Sequence, residues 1–151
     1  MTNTGIITGR KIVKGLVPSY TFDEGLKIFN NDPPYFIENY FSSAAMFSTV
    51  EDLLKFDTGI FSDKLIKQET KNKIIISYSE LYGVAYGFWV TDVTFGNTKT
   101  KAADRQGAIM GSNATWLHLI PENKSVLILS NTNATNINEL RTQFVTEMLS
   151  K

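Results

Sequence analysis

Ala114-Thr115-Trp116-Leu117-His118-Leu119-Ile120-Pro121-Glu122-Asn123-Lys124-Ser125-Val126-Leu127-Ile128-Leu129-Ser130 reads as strand, turn, strand. Residues 114–120 are rich in β-branched, aromatic and large apolar side chains. Pro-Glu-Asn-Lys supplies the turn, and residues 125–130 return. Val126-Leu127-Ile128-Leu129 is an unbroken apolar run, so this strand is expected to be covered on both faces.

Upstream, residues 81–93 place Tyr82, Val84, Tyr86, Phe88 and Val90 at alternate positions, which predicts another strand. Phe95-Gly96-Asn97 is a turn, and residues 98–103 can return from it. Downstream, Thr135 or Asn136 caps a helix whose apolar face carries Ile137, Leu140, Phe144, Val145 and Met148. Ser48-Thr49-Val50-Glu51 is a capping box that opens a second helix, with Val50, Leu53, Leu54 and Ile60 near one face and Gly59 at its end. A third, short helix fits residues 64–73, capped by Ser62 or Asp63. Residues 1–45 lack periodicity and are punctuated by Gly and Pro, with extended pieces at 12–17 and 20–22 and a turn at 30–34. So long an irregular stretch is unusual inside a closed domain and suggests chain that packs on something else.

The fold class is therefore α+β: a four-stranded antiparallel sheet packed against helices. The chain is expected to be one domain over 1–151, mostly irregular over 1–45, helical over 46–73, in antiparallel strands over 81–131 and helical again over 135–150. Trp89, Trp116, Phe88, Val126, Ile128, Leu129, Leu140 and Phe144 are the expected core.

Composition excludes several functions. The 151 residues carry 15 basic and 15 acidic side chains, so no net charge draws the chain to nucleic acid or an anionic membrane. With no Cys there is no disulfide, thiolate metal site or cysteine nucleophile. A single His excludes a histidine-rich metal centre, and His118 reads as a half-buried strand residue rather than a ligand. No cofactor and no metal are expected. No apolar run approaches a membrane span, and residues 1–20 show no signal-peptide pattern.

No Ser-x-x-Lys, Tyr-x-Asn or Gly-x-Ser-x-Gly occurs in the chain. A Ser nucleophile with a Lys base needs that first spacing, because one helical turn brings the amine beside the hydroxyl. The stretch from Arg105 through Gln106, Gly107 and Ala108 to Gly111 sets a cation and two glycines between strands. Such an edge lets a carboxylate approach backbone N–H groups; it also suits a plain glycine-containing hairpin.

Several segments, in order, resemble the serine β-lactamase-like family of class C β-lactamases, D-alanyl-D-alanine peptidases and penicillin-binding proteins. Ser43-Ala44-Ala45-Met46-Phe47-Ser48-Thr49-Val50-Glu51-Asp52-Leu53-Leu54-Lys55-Phe56 is similar to the family's AAGGLYSTAEDLLKF and is the most specific match. Met1 to Ile6 resembles GM-x-x-T-x-(F/I), and Lys14-Gly15-Leu16 through Tyr20 resembles AKGY. Tyr82 to Val90 resembles YGYGWWV, and residues 116–131 resemble the family's paired strands ending in V-V-V-L-S-N.

The resemblance implies the C-terminal half of such a domain, since the nucleophile and Tyr-x-Asn motifs of its first half are missing. The family's Lys-Thr-Gly or His-x-Gly triplet aligns with Arg105-Gln106-Gly107. Arg105 would then hold a substrate carboxylate, Gly107 would admit the ligand, and the Ala108 N–H would be the second oxyanion-hole donor. Arg for Lys or His, and Gln106 for a small or hydroxyl residue, depart from the pattern. The implied parent attacks an amide, ester or β-lactam carbonyl through an acyl-enzyme and is usually periplasmic or extracellular. The chain alone is expected to lack catalysis. Its implied partners are a peptide carboxylate or β-lactam-like ligand and the missing half or a second copy. The alternative is a non-catalytic binding or dimerising module of the same fold.

Overall fold

The computed structural model describes residues 1–62 and 64–150. In chain order the elements are β1 (Gly5–Ile6), β2 (Tyr20–Asp23), β3 (Ile28–Asn31), β4 (Met46–Phe47), α1 (Val50–Phe61), α2 (Gln68–Ile74), β5 (Trp89–Phe95), β6 (Thr98–Ile109), β7 (Ser112–Leu119), β8 (Lys124–Ser130) and α3 (Ile137–Leu149). Strands β5 to β8 form one antiparallel sheet in the order β5-β6-β7-β8, which gives the α+β class. Strand β1 pairs with β4, and β2 pairs with β3.

Alternation along the strands divides the core between two faces. On one face Phe95, Ala102, Leu117, Leu119 and Val145 of α3 form a buried cluster. On the other, Phe88, Val90 and Ala103 are buried, with Phe61 of α1, Ile74 of α2 and Trp116 packed against them. Both α1 and α3 pack on β8. That strand nonetheless ends the sheet, so the apolar run 126–129 is half-buried and Leu129 is 38% exposed. Among the other expected core residues Phe88 is buried, but Trp89 and Phe144 are exposed and Trp116 is half-buried.

Four local readings of the sequence are corrected. Residues 81–88 are not a strand: Tyr82, Gly83 and Gly87 take positive φ, and β5 starts only at Trp89. At Gly83 a Cβ would lie 2.5 Å from the Thr91 methyl, so the bend needs glycine. Helix α1 is capped one residue later than expected. Thr49, not Ser48, accepts from the Asp52 N–H, while Ser48 bonds Thr4. The short helix begins at Gln68 rather than 64; of its two proposed caps, Ser62 directly precedes no helix, and Asp63 lies outside the described residues. Finally, β6 continues to Ile109, and the turn before β7 is Met110-Gly111.

Part of the irregular N-terminal region is docked on the sheet. Tyr20 N–H donates to the Asn131 carbonyl at 2.8 Å, and Phe22 N–H to Asn133 Oδ1 at 2.6 Å. Asp32 accepts from Ser19, from Thr21 at 2.5 Å and from the Gly111 N–H at 2.9 Å. These contacts seat the β2–β3 hairpin on the β6–β7 turn. Asn30 and Asn31 thus lie in β3, and residues 12–17 form no strand.

The accessible surface is 10172 Å², where a compact monomer of this size has about 7,700 Å². Phe36, Tyr40, Phe41, Leu54, Leu81 and Tyr82 are all exposed. Val50 and Leu54 of α1, expected inside, face outward, and α1 instead buries Asp52, Asp57, Gly59 and Ile60.

Candidate functional site

Strand β5 pairs with β6 only as far as Trp89 opposite Asp104. Residues 105–109 of β6 pair with β7 on one side. No described residue pairs with them on the other, and Arg105, Gln106, Gly107 and Ala108 are all exposed. The four candidate residues thus lie on a strand with one open backbone edge, not in a hairpin loop.

The pleat divides them. Arg105 and Gly107 share one face, with Trp116 directly opposite Arg105 on β7. Gln106 and Ala108 share the α3 face, where Gln106 Nε2 donates to Asp104 Oδ2 at 3.2 Å. Asp104 is in turn paired with Arg141 at 2.8 Å. A cleft of about 260 Å³ on that side is lined by Gln106, Ala108, Asn113 and Asn138 among others.

The Arg105 guanidinium carbon lies 5.0 Å from the centre of the Trp89 ring. No described carboxylate pairs with Arg105. It is therefore a cation held by an aromatic face with its in-plane donors free, a geometry suited to bidentate contact with a carboxylate. A Cβ on Gly107 would meet nothing within 4 Å, so the face of the sheet beside Arg105 is uncovered there.

A second polar group, unforeseen in the sequence, lies beneath. Asp57 of α1 accepts from Trp116 Nε1 at 2.6 Å and from Ser125 Oγ at 2.6 Å, and sits 3.1 Å from His118 Nδ1. His118 is buried rather than half-buried, with the Phe61 ring stacked 3.5 Å from it. Burial pushes the Asp57 carboxyl up, but the bonds from His118, Ser125 and Trp116 outweigh it and hold it below its ordinary value. His118 and Ser125 contact the same carboxylate, and Ser125 meets His118 at the same nitrogen that faces Asp57. The cluster fastens α1 to the sheet and is no nucleophile–base relay. The signal that could have found it is the register of the 112–130 hairpin, which sets His118 opposite Ser125.

Among the described residues no group of three or more His, Cys, Asp or Glu is placed to hold a metal ion. No described helix is long and apolar enough to cross a membrane.

No family model matches the chain, and no curated protein matches it. Several solved structures share its fold. The octameric penicillin-binding protein homologue from Pyrococcus abyssi superposes with a TM-score of 0.79 at 17% identity, over 100% of this chain and 35% of that one. The penicillin binding protein from Bacillus halodurans superposes with a TM-score of 0.69 at 14% identity, over 97% of this chain and 44% of that one. The chain thus spans less than half the length of either structure. The likeness is one of fold: an α+β, penicillin-binding-protein-like fold.

Proposed function

We propose that this chain is the ligand-holding, C-terminal part of a penicillin-recognising serine acyl hydrolase and does not catalyse by itself. The observation that carries the reading is the open edge of β6 at residues 105–109, next to an arginine with no acidic partner among the described residues. An extended peptide can add there as a strand, with backbone bonds giving affinity and Arg105 holding its carboxylate. Gly107 admits the ligand backbone, and the Ala108 N–H supplies one donor to the oxyanion. The Gln106 side chain lies on the opposite face, and Gln106 contributes the backbone of the open edge.

The other half of the chemistry needs a Ser nucleophile with its Lys base, and the sequence holds no such pair. In this reading that pair comes from a further polypeptide segment. The extra surface of about 2,500 Å² over a compact monomer is what such a segment would cover. An area of this size also suits an obligate interface, and the module reading would have a second copy cover it.

A fluorescent penicillin and acetyl-D-alanyl-D-alanine test the proposal together. The chain alone should take no covalent label, yet bind the peptide reversibly, with binding lost in Arg105→Ala. Covalent labelling of the isolated chain would overturn the non-catalytic reading. Peptide binding that survives Arg105→Ala would overturn the site. A stable dimer by sedimentation, with no peptide binding, would favour the module.

A further inference from the structure

We propose that a pocket between the end of α2 and the turn before β5 binds a neutral, single-ring molecule that carries an oxygen acceptor. The pocket holds about 300 Å³ and is lined by Lys73, Ile74, Ile76, Tyr78 and Tyr86. A cavity of about 150 Å³ suffices for benzene, so one substituted ring has room here. None of these residues lies on the open edge of β6, so the pocket stands or falls separately from Arg105. Its walls are held by bonds that need no ligand. The Tyr86 N–H donates to the Ile74 carbonyl at 3.4 Å, and the Tyr78 N–H to the Val84 carbonyl at 3.1 Å. The Ser77 hydroxyl donates to the Val90 carbonyl at 2.6 Å and ties the turn to β5.

The lining selects the chemistry. Ile74 and Ile76 give aliphatic walls. Tyr78 and Tyr86 give an aromatic corner, with ring centres 6.3 Å apart and planes at 76°. A ligand ring can meet one of these rings by its face and the other by its edge, the arrangements that aromatic groups prefer. Ile76 and Tyr86 are exposed, so apolar area remains in water and its burial drives binding. Lys73, the one cation of the lining, is paired with Glu69 at 2.8 Å and brings no free charge to attract an anion. The bond it shares with Tyr86, and after that the nearby Glu80 carboxylate, hold the Tyr78 hydroxyl above its ordinary value. Tyr78 therefore keeps its proton and shares it with Tyr86, which leaves the Tyr86 O–H to donate to an oxygen of the ligand. The same Glu80 charge disfavours an acid.

The test is a nuclear magnetic resonance titration of the intact chain with acetophenone, ethylbenzene and benzoate at neutral pH, read on the isoleucine methyl groups. Acetophenone should shift the methyl signals of Ile74 and Ile76 to saturation and leave that of Ile128 unmoved. It should bind about fivefold tighter than ethylbenzene, the scale of one net hydrogen bond. Tyr86→Phe should remove that difference; Tyr86 is exposed, so the variant keeps the fold, which circular dichroism checks. Benzoate should bind more weakly than acetophenone, and Arg105→Ala should change none of the three. Absence of saturable shifts at Ile74 and Ile76 overturns the site. Ethylbenzene bound as tightly as acetophenone, or a preference that survives Tyr86→Phe, overturns the hydrogen bond to the ligand. Benzoate bound as tightly as acetophenone overturns the selection of a neutral ring. Shifts that vanish in Arg105→Ala place the ligand at the open edge of β6 and overturn the pocket.

Discussion

Trp116 on β7 donates its indole N–H to the Asp57 carboxylate of α1 at 2.6 Å, across 59 residues of sequence. The same indole stands opposite Arg105 on the open strand. One helix carboxylate therefore fixes the aromatic residue paired with Arg105 across the sheet.

Replacement of Asp57 by Asn should be severe despite the matched shape. Two of the groups around the carboxylate, Trp116 Nε1 and Ser125 Oγ, donate to it. An amide can accept through only one oxygen, and its own NH2 would face a donor. We expect a loss of about 3 kcal/mol in denaturant unfolding, the cost of breaking a buried charged network. A loss below about 1 kcal/mol would mean that the cluster does not hold α1.

The same carboxylate should shape the acid limb of stability. Asp57 and Asp32 are both held below their ordinary values in the fold, despite burial that acts to raise them, by the hydrogen bonds they accept. A depressed carboxyl contributes stability that is complete above its unfolded value, about 4, and that is lost as pH falls through the lower folded value. Melting temperature should therefore drop steeply below about pH 4, and less steeply in Asp57→Asn. Thermal melts across pH 2 to 7 measure this. Parallel slopes in the two proteins would remove Asp57 from the account.

Two glycines on the same strand pair should respond in opposite ways. A Cβ on Gly111 would lie 2.2 Å from the Tyr20 carbonyl oxygen, and that neighbour is backbone. Gly111→Ala should unseat the β2–β3 hairpin, cost about 2 kcal/mol and open residues 18–32 to proteolysis. Gly107 has open space around it. Gly107→Val should melt within about 0.5 kcal/mol of the parent, which thermal unfolding measures.

Arg105→Ala should likewise spare the fold, since an exposed cation–π contact contributes about 0.5–1 kcal/mol. Both tryptophans flank Arg105, so intrinsic fluorescence is a direct reporter. Addition of acetyl-Ala-Phe should change tryptophan emission in the parent and not in Arg105→Ala. An unchanged response in the variant would place the peptide elsewhere.

The hairpin of β7 and β8 and the helix α3 were legible from residue types, because apolar periodicity and a Pro-containing turn leave few alternatives there. The helix α1 was legible in place but not in facing. Its apolar Val50 and Leu54 point outward, while Ile60 points in together with the polar Asp52 and Asp57, which departs in part from the rule that periodicity relies on. Residues 81–88 failed for a different reason. Their alternation is that of a strand, and only the positive φ of Tyr82, Gly83 and Gly87 shows the chain turning instead. Arg105, Gln106, Gly107 and Ala108 could be singled out through family resemblance. The division of those four between two faces depends on β6 reaching Ile109.

By itself the sequence determined the strand order along the chain, the absence of a Ser-x-x-Lys pair and of thiol chemistry, and the place of the Arg-Gln-Gly triplet. These are local facts of residue type and spacing, and neighbours in sequence suffice to state them. Only the tertiary structure decided that β5 stops short of Arg105, that Asp57, His118 and Ser125 meet, and that the Trp89 ring lies beside the Arg105 guanidinium. Each of those depends on register between strands or on a helix laid across them. A shift of one residue in register turns every side chain to the other face, so only the paired sheet settles which residues share a site.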